Sequence, residues 1–231
     1  MPVPIIVLTN GRPECISKTI PSAQAHLSGV QGMVIVDDSG DPTYGQWLAD
    51  EFTGGPWDGK IAHLPGPHGY WRAMRYVWDL ARHWATTYDT TSFFFLEDDF
   101  TFNTDVDLDT LAGVLDTHPC LTQIALLRQP WFGNEHEHGG LIEALEQQGQ
   151  TFTETSDGVH TWIEHRAGFT GNPSLIPKRT FTRDWPEGNW SESRFGRALF
   201  RDEGARGAYW GRRTDPPRVE HIGHRRAGTD Y

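Results

Sequence analysis

Phe93-Phe94-Phe95-Leu96 runs without a break into Glu97-Asp98-Asp99. Four such apolar residues read as a strand buried on both faces, the kind found at the centre of a sheet with helices on either side. The three acids then stand where the strand leaves the sheet, and in open α/β sheets that carboxyl edge is where ligands bind. Clustered carboxylates repel one another and lose hydration on burial unless a cation or water compensates them. A hard divalent ion, Mg2+ or Mn2+, held by one or two carboxylates and by substrate phosphates meets that need. A solvated acidic turn is the plainer alternative.

The surrounding chain alternates strand and helix signals, which is the α/β pattern. Residues 3–9 are a short apolar run closed by the turn Asn10-Gly11-Arg12-Pro13, and a helix over 17–27 follows. Residues 32–36 are a second buried strand, ended by Asp37-Asp38-Ser39-Gly40-Asp41, and 61–64 a third. Over 69–85, Trp71, Met74, Trp78, Ala81 and Ala85 recur at steps of three or four, one apolar helix face. A helix over 108–115 and a strand over 123–127 complete the series. After Pro130 the regularity fades and Gly, Pro, Trp and His become frequent through residue 190. The expectation is a single domain over 1–231, a mixed sheet flanked by helices whose last third is irregular.

Composition narrows the class. Apolar residues make up 37% of the 231 and no apolar run approaches the ~18 residues that span a bilayer, which argues against disorder and membrane insertion. Cys15 and Cys120 are too few for a disulfide framework or a thiolate zinc site. The first residues lack the basic segment of a signal peptide, so a cytoplasmic protein with no membrane association and no obligate protein partner is expected. The net charge of −11 argues, as an average, against a polyanionic partner. It hides a split: residues 1–164 carry 7 basic and 23 acidic side chains, residues 165–231 carry 13 basic and 8 acidic.

Four segments together resemble the nucleotide-sugar glycosyltransferases of the GT-A fold, in their inverting, family-2-like form. They are Pro4 to Arg12, Val36-Asp37-Asp38-Ser39, Gly69-Tyr70-Trp71-Arg72-Ala73-Met74-Arg75, and Leu96-Glu97-Asp98-Asp99. The likeness covers the first 130 residues well and the rest loosely. It implies a Rossmann-like mixed sheet, a nucleoside diphosphate sugar donor with a UDP-sugar favoured, and a Mn2+ or Mg2+ cofactor. It implies nucleoside contacts from Thr9, Arg12, Asp37 and Asp38, and Asp98 beside ribose or sugar hydroxyls. Asp99 would be the direct metal ligand, and Arg72 or Arg75 would add charge to the pyrophosphate. The acidic helix start of such enzymes is matched by Asn189-Trp190-Ser191-Glu192, making Glu192 the candidate base and Asp184 its substitute; Ser193 stands where a second acid is common.

Many GT-A enzymes complete the metal site with a late histidine, so His221 is the candidate and His224 the weaker one. Arg225, Arg226 and residues 228–231 would close over the phosphates. In the loop 129–140, Trp131 is expected to stack on a sugar ring and Glu135 to bind its hydroxyls, with a plain solvated loop as the alternative. Gly171 to Ser174 would line the acceptor side.

The acceptor reading rests on the basic last third, residues 131–231 being the acceptor part. Its Lys and Arg, interleaved with Trp162, Phe169, Trp185, Trp190 and Trp210, suit a phosphate backbone and an unpaired base. Compact transferases resembling this chain occur in bacteriophages that decorate hydroxymethylated pyrimidines, and 17 Arg against 3 Lys fits a GC-rich genome. The leading acceptor is therefore 5-hydroxymethylcytosine in phage DNA, modified in the host cytoplasm. A cell-surface polysaccharide or lipid-linked acceptor, or a non-catalytic carbohydrate- or nucleotide-binding module, are the alternatives. A nucleotidyltransferase is a third, lacking its Gly-rich basic N-terminal loop.

Overall fold

Val3–Thr9 forms strand β1, and its seven residues are all buried because the sheet is covered on both sides. The computed structural model describes residues 3–224 of the chain. The next elements are helix α1 (Pro13–His26), β2 (Leu27–Ser28), β3 (Val30–Asp37), α2 (Pro42–Phe52), β4 (Lys60–His63) and α3 (Tyr70–Thr87). Then come β5 (Ser92–Glu97), β6 (Phe100–Phe102), β7 (Val106–Asp107), α4 (Leu108–Thr117) and β8 (Leu121–Ala125). The last third holds α5 (Gly133–His138), α6 (Leu141–Gln147), β9 (Phe152–Ser156), β10 (Thr161–His165) and β11 (Ser174–Pro177). It continues through α7 (Lys178–Phe181), α8 (Ser191–Leu199), β12 (Arg206–Trp210) and β13 (Val219–His221).

One sheet of nine strands runs β4-β3-β1-β5-β11-β8-β12-β10-β9. β4, β3, β1 and β5 are mutually parallel, and β11 enters antiparallel between β5 and β8. The expected mixed sheet is present, but the last third is more regular than its sequence suggests, since β9 to β12 all join this sheet. Strand β9 is buried only at Phe152 and in part at Thr155, so its apolar signal is too thin to read from residues alone. The helix expected over 17–27 starts earlier, with Pro13 in its first turn, where a missing N–H has no intrahelical partner to lose.

The period of two in the central strands divides the core. Ile5, Val7, Phe94 and Leu96 pack with residues of α1, α2 and α4 on one face. Ile6, Leu8, Phe93 and Phe95 pack with α3, α7 and α8 on the other. Trp78, on the apolar face of α3, is fully buried among the rings of Phe93, Phe169, Trp185 and Phe195, with centroids 4.7 to 6.0 Å away. Register aligns the ends of the central strands: Leu8 lies opposite Glu97, and Thr9 opposite Asp37. All the acids of the two strand ends therefore leave the sheet at one edge. Among the described residues no helix is long and apolar enough to cross a membrane, and Cys15 and Cys120 are free thiols.

Candidate active site

At that edge the chain turns immediately after β5, and β6 is joined by the late strand β13 with His221 opposite Phe100. This pairing carries a residue more than a hundred positions away onto the acidic triplet. His221 Nε2 stands 3.4 Å from Asp99 Oδ2, and its ring packs edge-on to Phe100 and Trp131, with centroids 4.8 and 4.1 Å away. Asp99 Oδ1 and His221 Nδ1 are buried with no hydrogen-bond partner. Burial holds the His221 imidazolium below its usual pKa, so the ring is neutral and able to donate a lone pair. A methyl group on Gly223 would collide with Asp99 Oδ2 and lie 3.0 Å from His221 Cε1. Only a residue without a side chain lets the backbone pass so close to this carboxylate.

Arg12 spans the two aspartates. Its guanidinium binds both oxygens of Asp98 and reaches Asp99 Oδ2 at 2.5 Å. Thr9 Oγ1 donates to Asp98 Oδ2 at 2.6 Å and sits 2.8 Å from the Tyr44 hydroxyl. Burial pushes the Asp98 carboxyl up to about 6, opposed by Arg12 and the Thr9 hydroxyl. No cluster of three His, Cys, Asp or Glu side chains able to hold a metal forms among the described residues. Asp99 and His221 offer two ligands, one hard oxygen and one nitrogen, which fits a cation that completes its shell on donor phosphates.

A second group lies on the other side of Glu97. Tyr70, the first residue of α3, donates its hydroxyl to Glu192 Oε2 at 2.9 Å. A Cβ at Gly171 would be 3.0 Å from Glu97 Oε1, 3.1 Å from Glu192 Oε2 and 3.3 Å from the Tyr70 oxygen, so these three groups converge on it. Burial, then the charges of Asp99 and Glu192, hold the Glu97 carboxyl well above its ordinary value. Burial also raises Glu192, while the Tyr70 hydroxyl and the Gly171 backbone pull it back down. Glu192 is thus brought to the acidic edge. Tyr70 stood in the quoted segments without a role, and no local signal reveals one, because its partner is 122 residues away.

Other expected residues are used differently. Asp37 is fully buried and accepts from Ser39 N at 2.8 Å, with His63 Nδ1 2.7 Å from its other oxygen. Asp38 accepts from the backbone of His68 and Gly69, at 2.9 and 3.0 Å, tying the strand end to the start of α3. Both carboxylates are thus bonded within the chain at the end of β3. Glu135 is 2% exposed, paired with Arg128 at 2.7 Å and accepting from the N–H groups of Trp131 and Phe132. It fixes the loop that holds Trp131 against His221.

Asp184 is 96% exposed and pairs with Arg82 at 3.5 Å. Its neighbour Trp185 packs edge-on to Tyr70, with ring centroids 6.4 Å apart. Arg75 pairs with Glu187 at 2.5 Å, while Arg72 stays near the edge, donating to His68 O and lying over the Trp71 ring. His224 is exposed, and Arg225, Arg226 and 228–231 lie outside the described residues. Trp162, Phe169 and Trp185 are buried in the core and not available to stack on a base, whereas Trp190 is 55% exposed.

The fold recurs in solved structures. S. aureus TarS residues 1–349 in complex with UDP-GlcNAc superimposes with a TM-score of 0.65 at 16% identity, covering 98% of this chain and 60% of that one. The chain has the GT-A fold. GalNAc-T7 with UDP, GalNAc and Mn2+ gives 0.61 at 12% identity, covering 96% of this chain and 44% of that one. The mannosyltransferase PcManGT from Pyrobaculum calidifontis, in complex with GDP-Man and Mn2+, gives 0.60 at 14%, covering 96% and 56%. This GT-A chain therefore spans about three fifths or less of the length of each. No known family profile matches the sequence, and no curated protein matches it by sequence.

Proposed function

We propose that this protein transfers a sugar from a nucleoside diphosphate sugar, a UDP-sugar favoured, to an acceptor hydroxyl. The observation that carries this reading is the junction at Glu97: Arg12, Asp98, Asp99 and His221 on one side, Glu192 and Tyr70 on the other. The first group suits a diphosphate and a cation; the second suits a hydroxyl that must lose a proton. The GT-A neighbours in complex with UDP-GlcNAc or GDP-Man support the donor class.

Asp99 and His221 would hold the Mn2+ or Mg2+ ion, the orphaned Asp99 oxygen and the close pass of Gly223 being what fits it. Bound there, the ion would supply Lewis-acid neutralisation of the diphosphate. Arg12, whose five N–H donors match phosphate oxygens as well as carboxylates, would exchange its aspartate bonds for the donor. Thr9 and Asp98 would orient donor hydroxyls, and Trp131 would face the sugar. As the acceptor oxygen attacks the anomeric carbon, Glu192 takes its proton and the carbon–phosphate-oxygen bond breaks, releasing the nucleoside diphosphate.

The favoured acceptor is 5-hydroxymethylcytosine in DNA, with a cell-surface polysaccharide or lipid-linked acceptor the alternative. The test is diphosphate release from common nucleotide sugars with Mn2+, with and without hydroxymethylated DNA. Stimulation by that DNA, lost in Asp99→Asn, is expected. Donor binding with no diphosphate release under any condition would sink the transferase reading in favour of a binding module.

A further inference from the structure

The basic last third does not form a positive surface as a whole. Arg166 and Arg179 are spent on backbone carbonyls: Phe200 and Glu203 for the first, and Leu115, His118 and Leu121 for the second. Arg206 donates to the carbonyls of Glu203 and Ala205, Arg213 pairs with Glu146, and Arg218 with Asp215. Arg194, Arg197 and Arg201 differ. All three are exposed, and their side chains make no ion pair or hydrogen bond among the described residues. Asp202, next in sequence to Arg201, points instead to Arg183 at 3.9 Å.

Arg194 and Arg197, three apart, lie within about 60° of each other on α8, and Arg201 follows in the turn just beyond its C-cap Phe200. Ser191, Phe195, Gly196 and Leu199 are buried on the opposite face. Trp190, at the head of this row, is 55% exposed and held in the left-handed region at φ 60°, an unfavourable conformation for a bulky residue. Glu192 begins the same helix and faces Tyr70 on its inner side. A cationic row with an aromatic at one end, leading over a helix start to a proton acceptor, matches one ligand chemistry. A nucleic-acid strand carries a regular row of phosphates that such arginines neutralise, and its unpaired bases stack on exposed rings.

We infer that the outer face of α8, Trp190 with Arg194, Arg197 and Arg201, is the docking surface for a DNA strand whose hydroxyl-bearing base crosses the helix start to reach Glu192. The inference rests on the proposed transfer for its purpose, but its test does not. Fluorescence anisotropy with a single-stranded 20-mer containing 5-hydroxymethylcytosine is measured from 50 to 200 mM NaCl, for the wild type and for Arg194→Gln/Arg197→Gln/Arg201→Gln. The triple variant should bind at least tenfold more weakly at the lowest salt, with the log–log salt slope reduced by about 2. Trp190→Ala should weaken binding about tenfold with the slope unchanged.

Diphosphate release from the donor alone should be the same in the triple variant as in the wild type. Equal DNA affinity and slope in wild type and triple variant overturn the surface, as does wild-type binding to phosphatidylglycerol vesicles but not to the oligonucleotide. If DNA binding depends on the row while no nucleotide sugar is ever cleaved, the surface stands and the transfer reading fails.

Discussion

The Tyr70 hydroxyl donates a 2.9 Å hydrogen bond to Glu192, joining the first turn of α3 to the first turn of α8. That bond favours the ionised carboxylate, since it and the Gly171 backbone oppose the upward push of burial. Tyr70→Phe should therefore raise the Glu192 pKa further. A base works only when deprotonated, so the acidic limb of the kcat pH profile should move to higher pH. Activity at the top of the profile should fall by less than about tenfold, well short of the 10²- to 10⁴-fold that a general base contributes. A limb that stays put would show that Glu192 is not the titrating base.

Gly171 is the point on which Glu97, Glu192 and Tyr70 converge. Gly171→Ala inserts a methyl group 3.0 to 3.3 Å from all three oxygens, so the carboxylates must spread. The expected outcome is a loss of kcat of at least tenfold with donor KM little changed, because the donor side of Glu97 is untouched. Steady-state kinetics with varied donor checks this.

Arg12 and the cation compete for the Asp99 carboxylate, so loss of Arg12 and loss of His221 should have opposite effects on metal binding. Arg12→Ala should tighten Mn2+ in the absence of donor and weaken the nucleoside diphosphate. His221→Ala should weaken Mn2+ at least tenfold, roughly 1.4 kcal/mol, and the diphosphate with it. Calorimetric titration with Mn2+ and then UDP reads both, and equal Mn2+ affinity in wild type and His221→Ala removes His221 from the metal site.

His165 is 4% exposed, stacked on Tyr209 and tilted against Phe152, with centroids 4.8 and 5.3 Å away. Burial holds its imidazole down to about 4. The unfolded chain, with the ordinary His value near 6.5, takes up the proton first as pH falls. Stability is thus full above about 6.5 and lost between there and about 4, by about 3 kcal/mol in all. Thermal melts at pH 7.5 and 4.5 should differ more for the wild type than for His165→Phe, which cannot be protonated.

Much of this was legible along the chain. Phe93 to Leu96 could only be a doubly covered strand, because alternate rings had to be buried on opposite faces, and Asp98 and Asp99 had to emerge at its carboxyl end. The α3 stripe set the helix that covers one face, and the resemblance carried by the first 130 residues named the fold. What no local pattern held was the fate of each polar group. Asp37, Asp38 and Glu135 read as ligand-facing acids, and only the fold shows that Ser39, the His68 and Gly69 amides and Arg128 occupy part of their acceptor capacity. The charge split at residue 164 read as a positive face, but six of its ten arginines among the described residues end on carbonyls or carboxylates. Hydrophobic burial has a period and can be read from order alone. A hydrogen bond has a partner, and whether that partner is free depends on which distant segment the fold brings beside it, as β13 brings His221 to Asp99 and α8 brings Glu192 to Tyr70.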